Sequence, residues 1–326
     1  MGKIYFFPIF FMIYIPNEYL INYKQSQIDK FENLLQKLGT DEQAILRDSA
    51  LNPISFLLIS ELEKNEKNIT LINECLQYLL QHQINSNIIT IQNNQLYMPP
   101  ADTRGDNLIY TFVTEEEQKT FLSNFQKAKE ILGKEWESLI DIVTVVTFVT
   151  ITGKEELLTH FSGSNSDLWG AIHMNKNLDL INIIECITHE ASHHWLNLLE
   201  FNNKNELIKN GWEDNSFISP WRRDRRPLMG ILHGVYVFGN VFLVYNKLSK
   251  LHSEYDSDRM YYIGSQVKRG YEILEENLAL ISPETKSFLD FSRKDFMDVY
   301  DKLEINKRNE FYQKVLSQEE VKCISN

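Results

Sequence analysis

From Tyr23 to about Gln83, apolar residues return every three or four positions through IDKFENLLQKL, AILRDSAL, PISFLLISELEK and ITLINECLQYLLQ. That is the period of helices that each bury one face. Asp41 and Pro53 are placed as helix starts, an acidic residue and a proline both suiting a first turn. The period lapses between residues 84 and 113, where Asn is frequent and PPADTRGDN supplies turn chemistry, so short strands and loops are expected. A helix is predicted from Glu115 to Gly133, followed by the β-branched run LIDIVTVVTFVTIT, Leu139–Thr152, as a central strand. DLWGAIHMN, Asp167–Asn175, predicts a second strand with Gly170 inside it, and residues 178–201 predict one long helix. From Leu228 onward the helical period returns in GILHGVYVFGNVFLVYNKL, in DSDRMYYIGSQVKRGYEILEENLAL, and from Ser287 to about Lys307.

Composition narrows the class. The chain has 326 residues, enough for a sizeable core and a pocket. Hydrophobic residues at 43% and charged residues at 24% are ordinary globular usage. A net charge of −12 excludes a general nucleic-acid binder, which needs a basic face. Cys75, Cys186 and Cys323 are odd in number and scattered, so they form no disulfide framework and fit a reducing cytoplasm. Cys186 reads as a small core residue. The apolar start GKIYFFPIFFMIYIP is too short to span a bilayer, is broken by Pro8 and lacks a cleavage signal. It is expected to be a buried strand or packed arm, with no membrane partner.

Within the long helix, CITHEASHHW holds the HExxH spacing His189-Glu190-Ala191-Ser192-His193. Two histidines four apart project from one helix face a turn apart and can share a metal ion. Glu190 lies about 100° round the helix from His189, where a zinc peptidase keeps its general base. His194 points about 100° away from His193, which suits a solvent-facing or hydrogen-bonding role. Strand, strand, then metal helix is the order in which zincin-like sites are built. The expected fold is therefore α+β and mostly helical: a zincin-like small sheet with an HExxH helix, packed on a multi-helix bundle. Residues 1–135 form its mainly helical amino-terminal region and residues 136–326 its metal-binding catalytic region.

A catalytic metal wants a third protein ligand. His233 stands in an apolar helical run between Gly230 and Gly234, which would allow close approach of a facing helix. Glu254 and Glu190 are the other candidates. Just before His233, Arg222, Arg223, Arg225 and Arg226 crowd into SPWRRDRR in an otherwise acidic chain. Guanidinium forks recognise carboxylates, so the cluster suits an acidic ligand; the plain alternative is a solvated loop pairing with acids such as Asp224.

ITHEASHHW together with SPWRRDRRPLMGILHGVYVF resembles the HExxH-type 2-oxoglutarate-dependent peptide β-hydroxylases of gene clusters for ribosomally made, post-translationally modified peptides. The resemblance covers residues 160–245, including DLWGAIHMN, W-R-x-x-x-R-P and G-x-L-H-G. It departs from the family where Arg225 stands in place of a proline. The resemblance implies an Fe(II) and 2-oxoglutarate-dependent dioxygenase, using O₂, that hydroxylates a β-carbon in a precursor peptide. It also implies His189, His193 and His233 as metal ligands, Arg226 and then Arg222 for the distal carboxylate of 2-oxoglutarate, and Glu190 beside the ligands. The strand at Asp167–Asn175 would receive the peptide by β-augmentation, and the amino-terminal helices would contact a leader segment. The alternatives are a gluzincin-like zinc metallopeptidase with Glu190 as base, and a non-catalytic peptide-binding protein.

Overall fold

The computed structural model describes residues 17–38, 50–81, 90–91, 108–151, 161–203, 206–213, 216–222, 224–251 and 257–324. The apolar amino-terminal run, the helix start at Asp41, Arg223 and Glu254 lie outside the described residues. By their contacts the described residues fall into two units that are not successive along the chain. Asn17–Glu130 joins Ile140–Leu198, and Ile131–Leu139 joins Leu199–Asn326.

In the first unit, α1 (Asn17–Leu38), α2 (Pro53–Glu63) and α3 (Ile69–Gln81) carry the three- and four-residue period into structure. Helix α2 starts where expected: Pro53 needs no amide partner in the first turn, and the Asn52 side chain accepts from the Ile54 amide at 2.9 Å. The strands are β1 (Thr90–Ile91), β2 (Leu108–Tyr110), β3 (Val145–Ile151), β4 (Ser162–Ser164) and β5 (Ala171–Asn175). They make a mixed sheet in which β3 runs parallel to β1 and β5 and antiparallel to β2, while β4 pairs antiparallel with β5.

Alternation of side chains divides the sheet into two faces. Val145 and Ala171, side by side in register, join Phe31, Ile54, Leu58 and Leu79 in the core beneath α1, α2 and α3. Phe148 and Met174 face the other way, where Phe148 meets Phe121 of α4 (Glu115–Ile140) edge-on at 5.6 Å. Ser162 and Ser164 lie opposite Met174 and Ile172, and so share that second face with α5 (Leu180–Asn202).

Three boundaries differ from the sequence reading. Helix α4 does not stop at Gly133: that residue takes φ +71°, a conformation glycine tolerates, and the helix resumes to Ile140, leaving β3 to start at Val145. Gly170 is not inside a strand. It sits at φ +85° in the turn before β5, where an added Cβ would press on the Ile142 carbonyl at 3.1 Å. The strand expected to receive a peptide is closed on both sides, since β3 and β4 occupy the two edges of β5.

The second unit contains the hairpin β6 (Phe217–Ile218) and β7 (Arg225–Arg226), then α6 (Leu228–Leu251), α7 (Ser257–Glu276), α8 (Pro283–Tyr300) and α9 (Ile305–Ile324). The single carboxy-terminal helix expected from Ser287 is two helices. Ser282 and Pro283 start α8, and the Glu304 carboxylate accepts from the Asn306 and Lys307 amides to start α9 after a turn. Among the described residues α6 is the one helix long and apolar enough to cross a membrane, yet 83% of that apolar stretch is buried, so it is a core helix of this unit. Phe242 on α6 packs at 5.1 Å from Phe296 of α8, which in turn stacks on Tyr300 at 5.3 Å. The protein is thus α+β and mostly helical.

Candidate metal centre and carboxylate-binding loop

His189 and His193 project from successive turns of α5, their ring centroids 5.0 Å apart and the rings inclined at 63°. This is the spacing at which two imidazoles reach a common ion through bonds of about 2 Å. The His189 side chain remains 22% exposed.

Glu190 does not share that exposure. It is buried, and each carboxylate oxygen accepts a hydroxyl from β4: Ser162 Oγ donates to Oε1 at 2.6 Å and Ser164 Oγ to Oε2 at 2.7 Å. His189 Nε2 stands 3.9 Å from Oε1. The two serines reach one carboxylate because residues two apart on a strand face the same way. The residue between them must be small, since a side chain at Gly163 would overlap the His173 ring on β5. The Ser-Gly-Ser sequence at residues 162–164 is thus explained by its two neighbours, His173 on one side and Glu190 on the other.

His194 is not solvent-facing. It is fully buried and donates from Nε2 to the Ala171 carbonyl at 3.1 Å; a carbonyl only accepts, so Nε2 carries the proton. Burial holds its pKa down at about 4. It pins α5 to β5. Cys186 is buried as expected, its thiol pushed up by burial first and by Glu185 next.

In the second unit His233, on α6, is mostly buried, and its Nε2 lies 3.1 Å from Oε1 of Glu200. The Trp212 ring lies 5.2 Å from it, tilted by 54°. Glu200 was not among the residues read from the sequence, although it falls seven positions, two helical turns, after His193. Gly234 serves another purpose than that expected. A Cβ at Gly234 would overlap the Trp221 ring, and one at Gly270 of α7 would come within 2.5 Å of it, so the two glycines make the slot that Trp221 fills. At Gly230 an added Cβ meets ordinary contacts from 3.5 Å outward.

Trp221 anchors the arginine loop. It stacks on Phe238 at 5.5 Å, the adjacent Pro220 carbonyl accepts from Gln266 at 2.7 Å, and Ser219 Oγ accepts from the Trp221 and Arg222 amides at 3.3 and 3.2 Å. From this base Arg222 and Arg226 turn to a single carboxylate. Asp224 Oδ1 lies 3.2 Å from Arg222 Nε, and Oδ2 lies 3.7 Å from Arg226 Nε. Arg225 points elsewhere and donates to the Ser216 carbonyl. Of the described arginines in the cluster, Arg222 and Arg226 are the two that meet one carboxylate together.

The donor chemistry on α5 suits a borderline divalent ion such as iron or zinc, for which neutral imidazole is a good ligand. Among the described residues no three His, Cys, Asp or Glu side chains are gathered as a complete metal cluster. The structure brings His189 and His193 together in the first unit, and His233 and Glu200 in the second. Compared with family models and with curated proteins, the chain matches none of either.

Proposed function

We propose that the protein is a cytoplasmic Fe(II) and 2-oxoglutarate-dependent dioxygenase with a zincin-like sheet and metal helix, acting on a β-carbon of a ribosomally made precursor peptide. The observation that carries this reading over hydrolysis is the position of Glu190. A hydrolytic base needs its carboxylate on the metal-bound water, whereas the Glu190 side chain is buried and each of its oxygens accepts a hydroxyl from Ser162 or Ser164. Among the described residues, the acid nearest this pair of imidazoles is Glu190, 3.9 Å from His189, and it is already bonded to two hydroxyls.

His189 and His193 would hold the ion, and His233 is the further ligand that the resemblance implies. Ferrous iron with 2-oxoglutarate and O₂ supplies the oxidising power for hydroxylation of an unactivated C–H bond. Arg226 and Arg222 bind the distal carboxylate of 2-oxoglutarate, which takes over the contacts that Asp224 makes in its place. The precursor peptide pairs its main chain with an open sheet edge; β5 is excluded, and β4 is the last strand on that side among the described residues.

The test is co-substrate dependence. Protein purified without oxygen and reconstituted with Fe(II) is expected to convert 2-oxoglutarate to succinate in air, and to do so faster with its peptide, which gains one oxygen atom. Peptide cleavage supported by zinc alone, with no consumption of 2-oxoglutarate, would replace this reading with the peptidase.

A further inference from the structure

We infer that Asp224 is an internal competitor for the carboxylate-binding loop, which a co-substrate's carboxylate must displace and which thereby sets the affinity of the loop; the inference rests on the reading of Arg222 and Arg226 as the co-substrate's clamp. Asp224 Oδ1 accepts from Arg222 Nε at 3.2 Å, and its Oδ2 lies 3.7 Å from Arg226 Nε, one oxygen to each guanidinium. A ligand's carboxylate held by the same two arginines would take that arrangement. Arg226 has a further interaction besides; the inference concerns only the contact that Asp224 makes.

The three residues belong to one unit, and the two arginines are fixed at the backbone. The Arg222 amide donates to Ser219 Oγ at 3.2 Å, and Arg226 stands on β7 in register with Phe217 of β6. Asp224 lies just before β7, and its side chain is 54% exposed against 33% for Arg222 and 35% for Arg226. Water therefore reaches the carboxylate that joins the pair, and ion pairs so exposed are weak enough for a ligand to displace. With Asp224 in place the two like charges are balanced, so an incoming carboxylate gains only the difference between its own contacts and those that Asp224 gives up.

Calorimetric titration of 2-oxoglutarate into the full-length protein, loaded with Fe(II) and kept free of oxygen, tests this without turnover. Asp224→Asn keeps the shape of the side chain and removes its charge; it is expected to bind 2-oxoglutarate two- to tenfold tighter than wild type. The gain depends on the clamp, so the same change made in an Arg222→Met background is expected to bring a smaller one. Circular dichroism and thermal melts establish that each variant is folded, and if Asp224→Asn is not, Asp224→Ser is expected to show the same tightening. Unchanged or weaker binding by the folded variant would overturn the competition, weaker binding making Asp224 an organiser of the loop instead. An equal gain with and without Arg222 would overturn it too, since the aspartate would then act only through the net charge of the protein. Wild-type protein that binds no 2-oxoglutarate, or Arg222→Met and Arg226→Met variants that bind it as wild type does, would remove the clamp itself, and this inference with it.

Discussion

Ser164 Oγ lies 2.7 Å from Glu190 Oε2, so the acid of the HExxH motif, 3.9 Å from His189 Nε2, is bonded to the sheet edge. With Ser162 on the other oxygen, each carboxylate oxygen accepts one hydroxyl. A glutamine can answer the same two hydroxyls, with its oxygen accepting from one and its amide donating to the other. Glu190→Gln is therefore expected to keep Fe(II)-dependent 2-oxoglutarate turnover within about tenfold of wild type. Loss of a true general base costs roughly 10²- to 10⁴-fold. Steady-state succinate formation distinguishes the two, and a loss of that larger size would return Glu190 to the chemistry.

The pairing of Arg222 and Arg226 on Asp224 leads to a prediction about affinity rather than rate. Replacing either arginine by methionine is expected to raise the KM for 2-oxoglutarate roughly 10- to 100-fold, the range of one charge-assisted hydrogen bond. Arg225→Met, which leaves both partners of Asp224 in place, is expected to change it little. Initial rates across a 2-oxoglutarate series measure this, and equal effects at all three positions would mean that the loop acts only through its overall positive charge.

How much of this was legible in the chain depends on the range of the interaction. His189 and His193 share a face because four residues nearly complete a helical turn, and nothing distant is needed to know it. The buried stripe of α6 and the start of α2 at Pro53 were legible for the same local reason. Glu190 was not, because its partners lie 28 and 26 residues away and meet it only through the register of β4 on β5. His233 carried a partial signal: its type and surroundings were evident, but its partner Glu200 is 33 positions earlier and on another helix. Gly234 stands where a close helix approach is expected, yet it makes room for Trp221, a side chain only thirteen positions away whose direction no periodicity encodes. Gly133 was read as a stop because glycine commonly ends helices, whereas here a single positive φ kinks α4 and the hydrogen-bonded turns resume.

Trp221 makes the arginine loop sensitive to a methyl group on a neighbouring helix. Gly234→Ala places a Cβ against the indole, and Gly270→Ala places one within 2.5 Å of it. The ring is boxed in by Phe238 as well, so it cannot yield without moving the loop. Each variant is expected to lose about 1–3 kcal/mol of stability, the usual cost of overpacking, measurable by urea unfolding. Gly230→Ala, with ordinary contacts only, is the matched control and is expected to be neutral or slightly stabilised, since alanine favours helix. A Gly234→Ala variant as stable as the Gly230→Ala control would mean that Trp221 is not held in this slot.

Glu117 offers a pH test in the first unit. It completes a capping box with Thr114 at the start of α4 and also meets Lys176 at 2.9 Å. The bond to Lys176 first, and the Thr114 amide second, hold its pKa down at about 2 against an ordinary value of 4.5. A carboxylate depressed on folding stabilises the native state above its unfolded pKa, and that contribution disappears as pH falls from about 4.5 to about 2. Glu117→Gln retains the capping box, which accepts glutamine, but removes the charge facing Lys176. Wild type is therefore expected to melt higher than the variant at pH 6, with the gap closing as the pH approaches 2. Both side chains are about one-third exposed, so the gap should also shrink in high salt. Melting curves from pH 2 to 7 at two ionic strengths give the answer, and a gap that stays constant across that range would show that the ion pair contributes nothing beyond the cap.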